Sequence, residues 1–232
     1  MRICGLQKLT LLDFPEHTAC TLFTGGCDLR CPFCHNGPLV LAPEEQPTIP
    51  EEELFRFLQR RRGLLDGVCV SGGEPTLQPG LEGFLLRVRE LGFAVKLDTN
   101  GGRPEILARL LEKGLVDYVA MDVKSALGRY GAACGLPDYD TAPVEESARL
   151  LGSSGVDHEF RTTLVRELHS LEDMDGIGRW LAGAPRYFLQ QFRESEGVIQ
   201  SGFTAFDHWE MEEMRNRLAR WIPAACLRGV AE

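Results

Sequence analysis

The sequence has no apolar run long enough to cross a bilayer, and its first residues, MRICGLQKLTLLDFPEH, are too polar for a secretory signal. It also has few basic residues, since 25 Lys and Arg against 34 Asp and Glu give a formal charge of −9. This charge argues against a nucleic-acid-binding protein that works through general electrostatics. We therefore expect a cytoplasmic protein, with reduced thiols and with neither a membrane nor a nucleic acid as its partner.

No internal repeat and no low-complexity linker divides the 232 residues, of which 44% are apolar. A chain of this length and composition fits one large domain or two small ones. We predict a single domain over residues 1–232, with an N-terminal extension (1–16), a partial barrel (17–193) and a C-terminal segment (194–232).

Apolar runs of strand length alternate with amphipathic segments of helix length along the chain. The predicted strands are HTACTLFTG, GVCVSGGEP, FAVKLDTNGG, DYVAMDVK, DHEFRTTLV and RYFLQQF. The predicted helices cover 50–63, 81–92, 103–114, 143–151, 171–183 and 206–222. This alternation predicts an α/β fold of parallel strands and right-handed crossovers, either an incomplete barrel or a doubly wound sheet.

Polar residues cluster where the predicted strands end, in TGGC, SGGEP, DTNG, DVK, RTT and QQF. Both candidate folds bring the C-terminal ends of their parallel strands to one face, and ligands bind there. The sequence therefore predicts one site that gathers all of these strand ends.

Eight cysteines are many for a cytoplasmic chain. Five are scattered, and we expect them to be small buried hydrophobes: Cys4, Cys20, Cys69, Cys134 and Cys226. The other three, Cys27, Cys31 and Cys34, lie within eight residues of the stretch FTGGCDLRCPFCHNGP. Such close spacing indicates a shared role.

Three explanations of the cysteine spacing are open. A structural zinc site would need a fourth ligand, which His35 would have to supply although it directly follows Cys34. A redox pair of Cys31 and Cys34 would leave Cys27 without a role. An iron–sulfur cluster held by three thiolates keeps one iron without a protein ligand, and such an open position suits an enzyme. We favour the cluster.

The pattern CxxxCxxC, with the aromatic Phe33 before its last cysteine, resembles the signature of the radical S-adenosylmethionine (SAM) superfamily. SGGEP follows in the superfamily's order, and CHN, LDTNG and MDVK resemble its glycyl-radical-enzyme activating branch. The opening GLQKLTLLDFPEHTACTLFTGGC looks most like the longer form of the anaerobic ribonucleoside-triphosphate reductase activating proteins. The resemblance implies a (β/α)6 partial TIM barrel with an N-terminal extension and a C-terminal helix.

The same resemblance implies an activity. A reduced [4Fe–4S] cluster would cleave SAM to methionine and a 5′-deoxyadenosyl radical, and this radical would abstract a Cα hydrogen from a glycine of a partner enzyme. The implied partner is a glycyl radical enzyme, with anaerobic ribonucleotide reductase as the expected one. A flavodoxin-like or ferredoxin-like protein would supply the electron.

The resemblance also assigns roles residue by residue. Cys27, Cys31 and Cys34 would bind iron. The residues implied to contact SAM or to shape its site are Phe33, Ser71, Gly72, Gly73, Glu74, Asp98, Thr99, Asn100, Asp122, Lys124, Arg161 and Phe192.

Within this set the backbones of residues 71–73 would approach the methionine moiety, where side chains would clash, and Glu74 would receive the ammonium or orient the turn. Asp98, Thr99 and Asp122 would lie near the SAM carboxylate, with a monovalent cation or Lys124 between the two acids. Arg161 is a second candidate partner of that carboxylate. The rings of Phe33 and Phe192 would flank the adenine.

Plainer interpretations stand beside these roles. Asp98 would then begin an Asx-turn, Lys124 would end a strand in solvent, and Phe192 would belong to the core. Two other functions also remain open. One is a small-molecule radical SAM enzyme similar to 7-carboxy-7-deazaguanine synthase, and the other is a non-catalytic, zinc-stabilised binding protein.

Overall fold

The computed structural model describes residues 1–230, and this part of the chain forms one sheet of eight strands in chain order. The first pair is antiparallel and every later pair is parallel. The sheet is open, with β1 and β8 as its edges. The strands are β1 (Ile3–Thr10), β2 (Ala19–Thr24), β3 (Gly67–Gly72), β4 (Ala94–Thr99), β5 (Tyr118–Asp122), β6 (Asp157–Leu164), β7 (Tyr187–Gln191) and β8 (Ala225–Arg228).

Helices join the parallel strands. They are α1 (Gly37–Leu41), α2 (Glu51–Arg61), α3 (Leu81–Glu90), α4 (Pro104–Glu112), α5 (Tyr130–Cys134), α6 (Ala142–Ser154), α7 (Leu171–Trp180) and α8 (His208–Leu218). The crossover helices bury their apolar faces, as α2 does with Leu54, Phe55, Phe57 and Leu58. No helix of residues 1–230 is both long enough and apolar enough to cross a membrane.

The predicted α/β partial barrel and its six strands are confirmed, and two further strands were not predicted. Residues 3–10, expected as an extension, form the antiparallel edge strand β1, whose middle is partly to fully exposed and therefore shows little apolar pattern. Strand β8 is only four residues long and follows the last helix. That helix is also shorter than predicted at both ends, and a capping box between Asp207 and Glu210 starts it at His208.

The short strand β8 is held by an ion pair whose carboxylate is buried. Glu159 of β6 is fully buried and accepts hydrogen bonds from Arg228 Nη1 (2.7 Å) and Nη2 (3.1 Å). The hydroxyl of Tyr118 donates a third at 2.8 Å. The Arg228 guanidinium also lies 3.6 Å from the centre of the Phe188 ring. These contacts place polar groups inside the barrel toward the N-terminal ends of its strands, which we call its lower end; a cavity lies at the opposite, upper end.

Replacing Arg228 with methionine should lower the free energy of unfolding by about 2 kcal/mol, since it leaves the buried Glu159 carboxylate with the Tyr118 hydroxyl alone. Urea unfolding measures this. The double variant Glu159→Gln/Arg228→Met should recover part of the loss, and Arg149→Met, which breaks an exposed pair with Glu146, should leave stability nearly unchanged. An Arg228→Met midpoint equal to that of the wild type would contradict the anchoring role.

Candidate active site

A cavity of about 330 Å³ opens at the C-terminal ends of the strands, where the sequence places its polar strand ends. Its wall contains ten of the residues predicted for the site: Cys27, Cys31, Phe33, Cys34, Gly72, Gly73, Asn100, Asp122, Lys124 and Arg161. The wall also contains Leu29, His35, Asn36, Val40, Thr163, Gln190 and Gln191. The C-terminal strand ends therefore meet in one place, as the strand alternation predicts.

The three clustered cysteines lie in the segment between β2 and α1, residues 25–36, which we name the cysteine loop. The backbone N–H of Leu29 points at Cys27 Sγ, 3.4 Å away. A turn joins the N–H of Cys34 to the carbonyl of Cys31 at 3.0 Å. Burial raises the pKa of the Cys27 and Cys31 thiols to about 12, so that iron binding would displace protons from them.

Main-chain hydrogen bonds from distant segments hold the cysteine loop in place. Residues 193–200, which we name the strap, supply two N–H donors: Ile199 to the carbonyl of Cys34 (3.2 Å) and Gln200 to that of Pro32 (2.9 Å). On the other side, the N–H of Arg30 donates to the carbonyl of Cys134 at the end of α5 (2.9 Å). The loop is thus clasped between the strap and α5.

The SGGEP turn packs directly on the cysteine loop. A Cβ on Gly73 would lie 2.0 Å from the carbonyl oxygen of Gly26, and one on Gly72, where φ is +115°, would lie 2.2 Å from the backbone N of Thr24. The sequence attributes these glycines to the approach of a ligand. The structure gives another reason, because the protein's own backbone already excludes a side chain at both positions.

Glu74 lies behind the cavity wall and is almost fully buried. Its Oε1 accepts hydrogen bonds from Thr76 Oγ1 (2.5 Å) and Thr99 Oγ1 (2.8 Å), and its Oε2 accepts one from the N–H of Asn100 (2.7 Å). In this arrangement Glu74 ties the turn after β3 to the end of β4. Burial raises the pKa of Glu74, although these hydrogen bonds oppose the rise.

Five side chains of alternating charge form a continuous row beside the cavity, which we name the charge chain: Lys96, Asp98, Arg161, Asp122 and Lys124. Lys96 contacts Asp98, and Arg161 Nη2 lies 3.2 Å from the other oxygen of Asp98. Arg161 Nε contacts Asp122, which Lys124 Nζ approaches to 3.1 Å. Despite burial, Arg161 holds the pKa of Asp98 and that of Asp122 below their usual range, helped by Lys96 and Lys124 respectively.

The charge chain bears on three of the sequence-based interpretations. The guanidinium of Arg161 lies between the carboxylates of Asp98 and Asp122, where the sequence leads us to expect a monovalent cation or Lys124. Asp98 makes ion pairs, and the Asx-turn at this strand end belongs instead to Asn100, whose Oδ1 accepts the N–H of Gly102 at 2.8 Å. Lys124 is largely buried and paired with Asp122.

Five predicted site residues are outside the cavity wall: Ser71, Glu74, Asp98, Thr99 and Phe192. Phe192 differs most from expectation, since it is 1% exposed and packs against the rings of His35 and Phe203. In the described structure it is therefore a core residue and does not face the cavity. Asp98 and Thr99 support the wall from behind, through Arg161 and Glu74 respectively.

Other residues at the site were not predicted individually. Thr163, Gln190 and Gln191 line the cavity, and their signal was present in the strand ends RTT and QQF. The motif CHN contains Asn36, whose side chain donates to the carbonyl of Gly72 at 2.8 Å. Lys96 gave no such signal, because it lies within the apolar strand FAVKLD.

Comparison with known proteins gives this site a family. Residues 21–180 match the radical SAM superfamily, which is more than half of the chain. The chain belongs to the radical SAM superfamily. A provisionally named glycyl-radical enzyme activating enzyme of Methanocaldococcus jannaschii is 31% identical to this radical SAM enzyme over 198 residues, covering 84% of this chain and 81% of the relative. This similarity confirms the predicted superfamily and supports its activating branch.

Two further proteins, one similar in sequence and one similar in fold, were also found. A 7-carboxy-7-deazaguanine synthase of Thermococcus kodakarensis is 30% identical over 202 residues, covering 78% of this chain and 76% of the synthase. Streptococcus suis SuiB bound to the precursor peptide SuiA has a similar fold, with a TM-score of 0.67 at 17% identity. That match covers 88% of this radical SAM enzyme but 46% of SuiB, so the chain spans about half of SuiB's length.

The donor set of the cysteine loop fits an iron–sulfur cluster. Three thiols from one loop line a single cavity, and the N–H of Leu29 is aimed at one of the sulfurs. Such a cluster takes one thiolate per iron and gains from N–H groups directed at sulfur. Among residues 1–230, no three His, Cys, Asp or Glu side chains are placed to bind one metal ion together. A cubane cluster does not need such an arrangement, because each thiolate binds a different iron.

Gly73→Ala should lower the iron content after anaerobic reconstitution as well as SAM binding, since its Cβ would displace Gly26 and with it the start of the cysteine loop. Iron and acid-labile sulfide per protein measure the effect. Gly83→Ala, in helix α3 with open space around its Cβ, is the matched control and should bind iron as the wild type does. Full iron loading in Gly73→Ala would show that the loop tolerates the displacement.

Proposed function

We propose that this radical SAM enzyme is an activating enzyme that installs a glycyl radical on a partner protein. It cleaves SAM reductively, and the 5′-deoxyadenosyl group takes a Cα hydrogen from a glycine of the partner. The observation that carries the proposal is the arrangement of one cavity, in which the three cysteines face the SGGEP turn and the charge chain. The activating-enzyme relative supports the same activity.

Each part of the cavity has a proposed role. Cys27, Cys31 and Cys34 hold a [4Fe–4S] cluster, which when bound and reduced supplies the electron for SAM cleavage. Lys124 and Arg161 face the SAM carboxylate, and the backbone of the SGGEP turn faces the methionine amino group. The ring of Phe33, which lies in the wall, packs against the adenine.

A protein substrate fits the cavity better than a charged small molecule does. The acidic and strongly basic side chains of its described wall are Asp122, Lys124 and Arg161. Both cations are assigned to the SAM carboxylate, and Asp122 is paired with each of them, so the set leaves no further charged anchor for a second charged ligand. Beyond Arg161, the part of the wall on β6 and β7 is polar and uncharged, with Thr163 and Gln190. The sheet is also open between β1 and β8, which leaves a side through which an extended peptide can approach.

We propose an anaerobic ribonucleotide reductase as the partner, a flavodoxin-like or ferredoxin-like protein as the electron donor, and the cytoplasm as the place of action. The opening residues and the motifs CHN, LDTNG and MDVK support this choice. The second candidate is a 7-carboxy-7-deazaguanine synthase, which the Thermococcus relative favours through its identity and its coverage of both chains.

Substitution of Cys27, Cys31 or Cys34 by alanine should abolish the reconstituted cluster and reductive SAM cleavage, because each thiolate is expected to bind one iron. Visible absorbance, iron content and 5′-deoxyadenosine formation measure this. Cys226→Ala, at an exposed position of β8, is the control and should keep all three. Loss of the cluster in Cys226→Ala would overturn the three-ligand assignment.

A second experiment separates the two candidate functions. The reduced enzyme is mixed anaerobically with SAM and an anaerobic ribonucleotide reductase, and electron paramagnetic resonance is recorded. We expect a glycyl doublet, with one 5′-deoxyadenosine formed for each radical. SAM cleavage without a protein radical, together with turnover of a pterin-like substrate, would favour the synthase instead.

A further inference from the structure

Lys96 is a charged residue inside the barrel that the mechanism above does not use. It is 1% exposed, lies outside the cavity wall, and contacts Asp98 through its ammonium group. Its other neighbours are Cys69 Sγ, 3.9 Å away, and the ring of Tyr118, whose centre is 5.9 Å away. A lysine this deeply buried is costly unless its charge is balanced, so its presence calls for an electrostatic reason.

The charges of the chain supply that reason. Asp98 is shared between Lys96 and Arg161, while Asp122 is shared between Arg161 and Lys124. Three cations therefore meet two carboxylates, and one positive charge is left over beside the cavity. Without Lys96, two cations would face two carboxylates and the row would be neutral. The next acid on this side of the interior, Glu159, is already paired with Arg228.

We propose that Lys96 is a positioning residue for SAM: by neutralising Asp98 it leaves the positive charge of Arg161 and Lys124 available to the SAM carboxylate. This proposal rests on SAM binding in the cavity, as proposed above. Lys96 itself touches no ligand and acts through Asp98 and Arg161. The Lys124 end of the row faces the cavity, whereas the Lys96 end is sealed inside the barrel.

Two SAM forms probe this charge directly. SAM carries the carboxylate, whereas decarboxylated SAM lacks it and keeps the sulfonium, amine and adenosine groups. Dissociation constants of both are measured by anaerobic equilibrium dialysis on the reconstituted protein. Lys96→Met should weaken SAM binding about tenfold and leave binding of decarboxylated SAM within about twofold, because a unit charge acts on the carboxylate across a weakly screened interior.

A double variant separates charge from packing. Lys96→Met/Asp98→Asn removes one cation and one carboxylate together, so that Arg161, Asp122 and Lys124 again carry one net positive charge. It should recover most of the preference for SAM over decarboxylated SAM, although it changes the core more than the single variant does. Lys113→Met, which removes an exposed lysine paired with Glu82, is the control and should change neither constant.

The outcomes are distinct. Equal weakening of both SAM forms in Lys96→Met, or a double variant no better than the single one, would overturn the proposal. A wild-type protein that holds its cluster but binds no SAM would instead refute the proposed function. Iron content and melting temperature are recorded for every variant. Lys96→Gln, which keeps a hydrogen-bond donor to Asp98, is measured in parallel, and an unchanged SAM preference there would equally refute the charge account.

Discussion

The site depends on one close contact between two stretches of backbone. The paired strands β2 and β3 run on past their ends, so that the N–H of Glu74 donates to the carbonyl of Gly26 at 2.7 Å and the N–H of Gly73 donates to that of Thr24 at 2.8 Å. No side chain fits between them. The loop that carries the thiols is therefore built on the turn that faces the same cavity, and the spacing between the two is set by main-chain geometry.

Buried charge is the second organising feature, and it has a different character at the two ends of the barrel. At the lower end, Glu159 and Arg228 balance each other and serve to hold an edge strand. At the upper end the charge chain is unequal in sign and borders the cavity. Buried charges are tolerated in both places because each has a partner, but only the upper set has charge to offer a ligand.

The sequence was informative where local pattern and chain topology act together. Parallel strands bring their C-terminal ends to one edge, so the polar residues that follow each apolar run predict much of the cavity wall. The sequence was less informative about the role of a side chain when that role depends on a neighbour from another strand or segment. In the sequence alone, Lys96 has the character of an exposed strand residue, and only its ion pair with Asp98 explains why it is buried. Phe192 follows a strand that contributes to the site, but its side chain packs in the core.

The edges of the sheet were missed for another reason. β1 is half exposed and β8 has four residues, so neither carries the apolar alternation by which strands are predicted. The resemblance assigns Gly72 and Gly73 to the site as positions that a ligand approaches, and in the structure backbone atoms of Thr24 and Gly26 occupy the space that their side chains would need. The sequence indicates that side chains are excluded at these two positions, and the structure identifies the backbone atoms that exclude them.

The strap has a consequence for how this protein can diverge. It grips the cysteine loop through the N–H groups of Ile199 and Gln200, and the carbonyl of Gly197 accepts the N–H of Gly37 at 2.9 Å. Every residue type except proline provides the same N–H donors, so most positions of the strap can be substituted without loss of these hydrogen bonds. Its length has no such freedom, because one inserted residue would shift each donor away from its acceptor. Homologues should therefore conserve the length of this segment more strictly than its amino-acid sequence.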